Sequence, residues 1–244
     1  MTTHRTTDAV DRIVRVRATT ILHLLEVPIA FGTWVMRHRE FCLVRVDAES
    51  GLSGFGYALT RDGPVAAIVD RTIAPQYLGQ DVNDPEASFW KALWANNSVH
   101  AAGIGMRALS VVDIAAWDLA AKAKGQNITT YLGGERRSMP VTGIVGYPPS
   151  ISPAATVEQI RALWEQGWRR FKLPIAPTRD ESIARLRAAR EAYPDAWLGI
   201  DANFLHKTSA DAIAFGKQLD GRSAHGRYAP ARVAPRALLN AGST

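Results

Sequence analysis

The stretch 108-ALSVVDIAAWDLAAKAKGQNITTYLGGERRSMPV-141 decides how the rest of the chain reads. Its first part repeats apolar residues at helical spacing, with Leu109, Val112, Ala116, Leu119 and Ala120 on one face. Gly125 is a natural C-terminal stop. Asp113 and Asp118 interrupt the run, so it is a helix of a folded domain and not a bilayer span. The pattern differs on either side of this stretch, which makes it the join between two kinds of architecture.

Upstream, strands come first and helices afterwards. RIVRVRATTILHLL (12–25) and EFCLVRVDA (40–48) are rich in branched residues, and SGLSGFGYALT (50–60) follows a turn at Glu49 to Gly51. The last two therefore form a hairpin. PVAAIVDRTIAPQYL (64–78) and PEASFWKALWANN (85–97) carry helical periodicity. Strands and helices in separate blocks indicate an α+β unit.

From about residue 139 the order alternates. MPVTGIVG (139–146) is a short apolar strand. Ser152 and Pro153 supply an N-cap and a first-turn proline for a helix with Val157, Ile160, Leu163 and Trp164 on one face. The strand WRRFKLP (168–174) follows, and Thr178 with Glu181 forms a capping box for a helix through Ile183, Leu186 and Ala189. AWLGID (196–201) is the next strand, and Thr208 and Asp211 open a helix through Ile213, Phe215 and Leu219. Three successive βα units imply parallel strands with crossover helices.

Composition narrows the class. At 244 residues the chain holds one large domain or two modest ones. Four of its six net positive charges are Arg222, Arg227, Arg232 and Arg236, in a last stretch without an acid. The body is nearly balanced, which argues against nucleic-acid binding, where the basic patch belongs on the fold itself. The N-terminus has no apolar signal core and no apolar run is long enough for a membrane. Cys42, the single cysteine, lies in an apolar strand and permits no disulfide within the chain. These features predict a cytoplasmic protein with a buried structural thiol.

In parallel barrels catalytic groups sit at the C-terminal ends of strands. Lys172 ends one such strand, and Asp201 with Asn203 ends another. Taken alone, these read first as a solvated charge and as ordinary Asp-x-Asn turn chemistry.

A resemblance changes that reading. RVDAESGLSGFGYA (45–58), the stretch 108–141, GWRRFKLP (167–174) and GIDAN (199–203) resemble the enolase superfamily, in its mandelate racemase and muconate lactonizing enzyme branch. The match runs almost continuously from about residue 12 to 219, and its middle motif is the most specific. It implies an α+β capping domain (1–138) followed by α/β structure, an incomplete modified TIM-type (β/α) barrel of about three βα units (139–220). The Arg/Ala/Pro-rich stretch 221–244 is expected to be an irregular, disordered tail, the product of either a shifted reading frame or a truncation.

The resemblance also implies chemistry: abstraction of a proton next to a carboxylate, with Mg²⁺ stabilising the enediolate and a Lys or His as base. It makes Asp201 the first metal-ligand position, Asn203 its support by hydrogen bonding to ligand or substrate, and Lys172 the first lysine of a Lys-x-Lys motif. Trp34 and His38 match the capping loop where selectivity resides, or else belong to the capping core. Tyr147, after the first barrel strand, faces substrate or packs beside Pro148 and Pro149. His206 is expected to be solvated in its turn, and His225 is not a catalytic histidine.

Two departures stand out. Pro174 replaces the second lysine of the motif, and no acidic residue follows Asp220, where the family places further metal ligands. The expectation is an acid-sugar dehydratase by descent, acting on a small-molecule carboxylate, with this chain catalytically incomplete. The alternatives are a non-catalytic remnant or interaction protein, and a racemase or cycloisomerase of the same branch. Assembly as a homo-oligomer is expected, with neither nucleic acid nor membrane as partner.

Overall fold

Alternation along residues 42–48 builds the first sheet. Cys42, Val44, Val46 and Ala48 are buried while Leu43 and Arg45 face outward, the period-2 signature of a strand with one covered face. In the computed structural model, which describes residues 10–31, 34–203 and 206–220 (backbone alone at 30–31, 34 and 220), this strand is β2, Trp34–Ala48. It lies between β1 (Ile13–Phe31) and β3 (Ser53–Leu59). β2 and β3 are antiparallel, with Val44 opposite Gly56 and Val46 opposite Gly54. Asp47 points to the outer face, yet it is buried because Arg15, Arg45 and Ser53 all donate to its carboxylate. Those donors outweigh its desolvation and hold its pKa down at about 2.

Six helices follow. α1 (Val65–Ile68) runs through a π-helical turn (Val69–Ile73) into α2 (Ala74–Tyr77). α3 (Pro85–Ala95) is capped by Asp84, and α4 (Asn97–His100) leads to α5 (Gly103–Ala123) and α6 (Ile128–Tyr131). The expected stripe of α5 is buried, and so are Val111, Ala115 and Ala121. α5 is covered on several sides, because β3 lies against it and α1, α3 and α4 also contact it. A Cβ on Gly54 would stand 2.0 Å from the Ala115 carbonyl oxygen, and one on Gly56 would stand 2.4 Å from that of Val111. The two glycines let the helix backbone rest directly on β3.

Cys42 is fully buried in this core, and burial together with Asp70 and Glu40 pushes its thiol up to about 11. It is inert, as the sequence suggested. His100, also fully buried, bonds the Ala92 carbonyl through Nδ1 at 2.7 Å and Thr72 Oγ1 through Nε2 at 2.9 Å. It is a structural histidine that ties α4 to α3.

Asp113 on α5 is the strained group of this core. Its Oδ1 has no hydrogen-bond partner, nor does the buried Tyr77 hydroxyl. Burial pushes the Asp113 carboxyl from its ordinary 3.8 up to about 6, against the lowering effect of a hydrogen bond from Trp117. A carboxyl with a raised folded pKa is best tolerated below the unfolded value, and its stabilising share is lost as pH rises through about 6. Asp113→Asn is therefore expected to match the wild type near pH 4 and to exceed it at pH 8. Partial exposure reduces the gain to about 1–2 kcal/mol. Urea denaturation at the two pH values checks this, and an equal difference at both would refute it. Asp47 does not confound the comparison, because its contribution is lost only as pH falls from the ordinary carboxylate range toward 2.

The second set of elements is parallel. β4 (Gly143–Ile144), β5 (Arg170–Pro174) and β6 (Trp197–Asp201) form a sheet in that order. The register places Ile144 beside Lys172, Lys172 beside Gly199, and Pro174 beside Asp201. Each strand is followed by a helix: α7 (Pro153–Trp164), α8 (Arg179–Ala192) and α9 (Ser209–Asp220). Ser152 Oγ caps α7 by accepting from the Ala155 N–H, and the Thr178–Glu181 capping box at the start of α8 is formed in both directions. Phe171, Leu173 and Leu198 bury one face of the sheet with Ile160 and Ala189 from the helices.

The strand expected over 139–146 is only two residues long. It pairs with β5 alone, and Met139 and Val141 are exposed. His206 is not solvated: its side chain is 14% exposed, rests against the Phe215 ring at 5.1 Å and faces Asp211. The burial of Phe215 draws the ring in. The tail 221–244, with its expected disorder, lies outside the described residues.

By their contacts the described residues form two units. One comprises the chain up to Val27 with Arg37–Arg137, and the other comprises Pro28–Met36 with the chain from Ser138 on. Among the described residues no helix is long and apolar enough to cross a membrane.

Candidate active site

Strand pairing decides where the two candidate residues meet. Lys172 lies beside Gly199, and Asp201 is two residues further along β6, so both side chains project from the same face as diagonal neighbours. Lys172 Nζ donates to Asp201 Oδ2 at 2.9 Å, with the side chains 38% and 36% exposed. Asp201 also closes the strand end through its carbonyl, which accepts from the Ile175 N–H at 2.9 Å. Asn203 follows in a left-handed conformation, φ 43°, which asparagine tolerates better than most residues. Its backbone N–H donates to Asp201 Oδ1 at 3.2 Å, so the Asp-x-Asn turn chemistry forms at the strand end.

On that face Asp201 is accompanied by Ile144, Arg170, Lys172, Trp197 and Pro174. The Arg170 guanidinium lies over the Trp197 ring at 4.3 Å. That ring covers Gly199, where a Cβ would come within 2.7 Å of it. Pro174, in register with Asp201, offers no proton-accepting group.

Tyr147 is half-buried on the loop after β4 and precedes Pro148 across a cis peptide bond. Two side chains that the sequence reading passed over hold this loop. Gln159 on α7 accepts from the Gly146 N–H at 2.6 Å and donates to the Tyr147 carbonyl at 2.9 Å. Arg185 on α8, 1% exposed, donates to the carbonyls of Pro149, Gly146 and Pro174 at 2.5, 3.0 and 3.4 Å. Burial without a carboxylate partner within hydrogen-bond reach lowers its pKa, with Glu181 acting the other way. A signal for Arg185 existed. It falls on the buried stripe Ser182, Arg185, Ala189 of α8, where a charged residue requires partners.

His38 lies on β2, where its Nε2 meets Asp62 Oδ1 at 2.9 Å. Asp62 and its neighbour Arg61 both have positive φ, 61° and 56°. The side chain of Trp34 lies outside the described residues. Among the described residues, no three His, Cys, Asp or Glu side chains converge to hold a metal ion.

Comparison with known proteins agrees with this architecture. Residues 13–133 match the family described as mandelate racemase / muconate lactonizing enzyme, N-terminal domain, and residues 155–225 match the enolase C-terminal domain-like family. The fold is thus of the enolase-superfamily class, an α+β capping part with a partial parallel barrel sheet. Within that class the chain belongs to the mandelate racemase/muconate lactonizing enzyme branch.

An N-succinylamino acid racemase of Thermus thermophilus is 33% identical over 82% of this chain and 54% of its own length. An L-talarate/galactarate dehydratase of Salmonella typhimurium is 34% identical over 66% of this chain and 42% of its own. The crystal structure of the latter superposes with a TM-score of 0.78 at 25% identity, covering 90% of this chain and 58% of that one. A mutant of that dehydratase was crystallised with Mg and L-glucarate. A mandelate racemase/muconate lactonizing enzyme-like protein from Rubrobacter xylanophilus gives a TM-score of 0.76 at 27% identity, over 85% of this chain and 57% of that one. The chain spans about half the length of the curated relatives it matches.

Proposed function

We propose that this chain carries the capping part (residues 1–138) and the first barrel strands (139–220) of an acid-sugar dehydratase-type fold, and that it does not complete the reaction by itself. The substrate class is a small hydroxy-carboxylate. Enolase-superfamily sites remove a proton beside such a carboxylate with a Lys or His base and a divalent ion. In this reading Asp201 takes the metal-ligand position, Asn203 supports it, and Lys172 offers its charge to the substrate carboxylate. Tyr147 and His38 are candidates for substrate contact.

The observation that carries the proposal is the composition of the strand ends. Lys172 and Asp201 are spent on each other at 2.9 Å, and the position in register with Asp201 is Pro174. Mg²⁺ needs near-octahedral oxygen coordination through at least one free carboxylate, and the described donor set does not fit it. Pro174, which stands where the family carries its second lysine, has no proton-accepting side chain to serve as general base.

A second reading, a non-catalytic protein of the same fold, is favoured by the same Pro174. The racemase and dehydratase relatives, at nearly equal identity, leave racemase or cycloisomerase chemistry as the alternative within the branch. The purified chain should give no turnover in a screen of sugar acids, hydroxy acids and N-succinylamino acids with millimolar Mg²⁺, read by carbonyl-product formation and by deuterium exchange at the α-carbon. One substrate with clear turnover or exchange would overturn the proposal and name the reaction.

A further inference from the structure

Asp201 ends β6 with both carboxylate oxygens engaged, Oδ2 by Lys172 Nζ at 2.9 Å and Oδ1 by the Asn203 N–H at 3.2 Å. It is the one carboxylate on its face of the β4–β5–β6 strands, among Ile144, Arg170, Lys172, Pro174 and Trp197. The next acid along the chain, Asp211, faces Arg179 and His206 instead. Toward the strand starts the face is closed by Trp197 lying over Gly199 with Arg170 stacked upon it, a cationic floor.

We infer that Lys172 is the resident cation of Asp201. Its ammonium neutralises the carboxylate that the proposed function gives to a metal, and a divalent ion reaches that oxygen only by displacing it. The chain therefore binds divalent cations weakly at this strand end, and the lysine sets that weakness. The geometry is imposed by the strand register, which brings the two side chains together as diagonal neighbours on one face. Because the pair is about one-third exposed, solvent screens it, and the competition costs about tenfold in cation affinity.

The inference rests on reading Asp201 as the metal position, and the test separates the two. Mn²⁺, whose free form is read directly by electron paramagnetic resonance, is titrated into the full chain. The wild type is expected to leave Mn²⁺ free throughout the micromolar range. Lys172→Met should bind about tenfold tighter, and the gain should disappear in the Lys172→Met/Asp201→Asn double variant. Lys172→Gln provides a second neutral side chain, and far-UV circular dichroism checks the fold of each. Tight, Asp201-dependent binding by the wild type would overturn the inference while leaving Asp201 as the metal position. Folded Lys172 variants that bind no tighter than the wild type would also overturn it. A gain that survives Asp201→Asn would remove the reading of Asp201 itself.

Discussion

Gly54→Ala is expected to destabilise the protein by about 3 kcal/mol, at the upper end of the usual cost of overpacking. The new methyl would stand 2.0 Å from the Ala115 carbonyl oxygen, 2.6 Å from the Leu119 nitrogen and 2.7 Å from the Leu119 Cβ. Two of these obstacles are helix backbone, which no rotamer change relieves, so α5 must move off β3 as a body. That movement opens the core around Leu109, Val112, Ala116 and Leu119, all essentially fully buried. For a chain of this size the thermal midpoint should fall by about 10 °C. Gly216→Ala is the control. Nothing lies within 4 Å of its Cβ and it sits inside α9, so alanine should be neutral or stabilising by about 0.5–1 kcal/mol. Gly54→Ala with an unchanged midpoint would show that α5 does not rest on β3.

Arg185→Met is expected to cost about 2–4 kcal/mol, because a similar volume is kept while three carbonyl partners are lost. Gly146, Pro149 and Pro174 offer those carbonyls, at the ends of β4 and β5 and in the loop that bears Tyr147. A Cβ on Gly146, itself at φ 86°, would stand 2.1 Å from the guanidinium. The loop and the arginine are thus fitted to each other. Arg185→Lys keeps the charge but not the planar fork, and should recover only part of the loss. Urea denaturation followed by circular dichroism measures both variants. If Arg185→Met unfolds at the wild-type midpoint, the guanidinium is not the pin of this loop.

The elements themselves were legible to different degrees. Helices with a cap and a clear stripe, α5, α7 and α8, fall where the periodicity and the Ser152, Thr178 and Gly125 signals put them. β4 is shorter than the apolar run 139–146 suggests, because such a run declares its composition but not how much of it finds a partner. His206 is less exposed than its place in a turn suggests, for a related reason. Its environment is set by Phe215, a residue nine positions later that only the packing of α9 brings beside it.

The candidate site shows the same division. The sequence alone determined which groups stand at the strand ends, Lys172, Asp201, Asn203 and the substituting Pro174, because a residue's place along a strand follows from local pattern. It also determined the buried stripe of α5, since periodicity is a local property. Only the tertiary structure decided that Lys172 and Asp201 neutralise one another, because a parallel register between segments 29 residues apart is not written in either segment. It likewise decided that Arg185 is a buried pin and not a solvated helix charge. The backbone carbonyls that receive the guanidinium come from the loop after β4 and from the end of β5, and they converge only when the sheet and α8 pack.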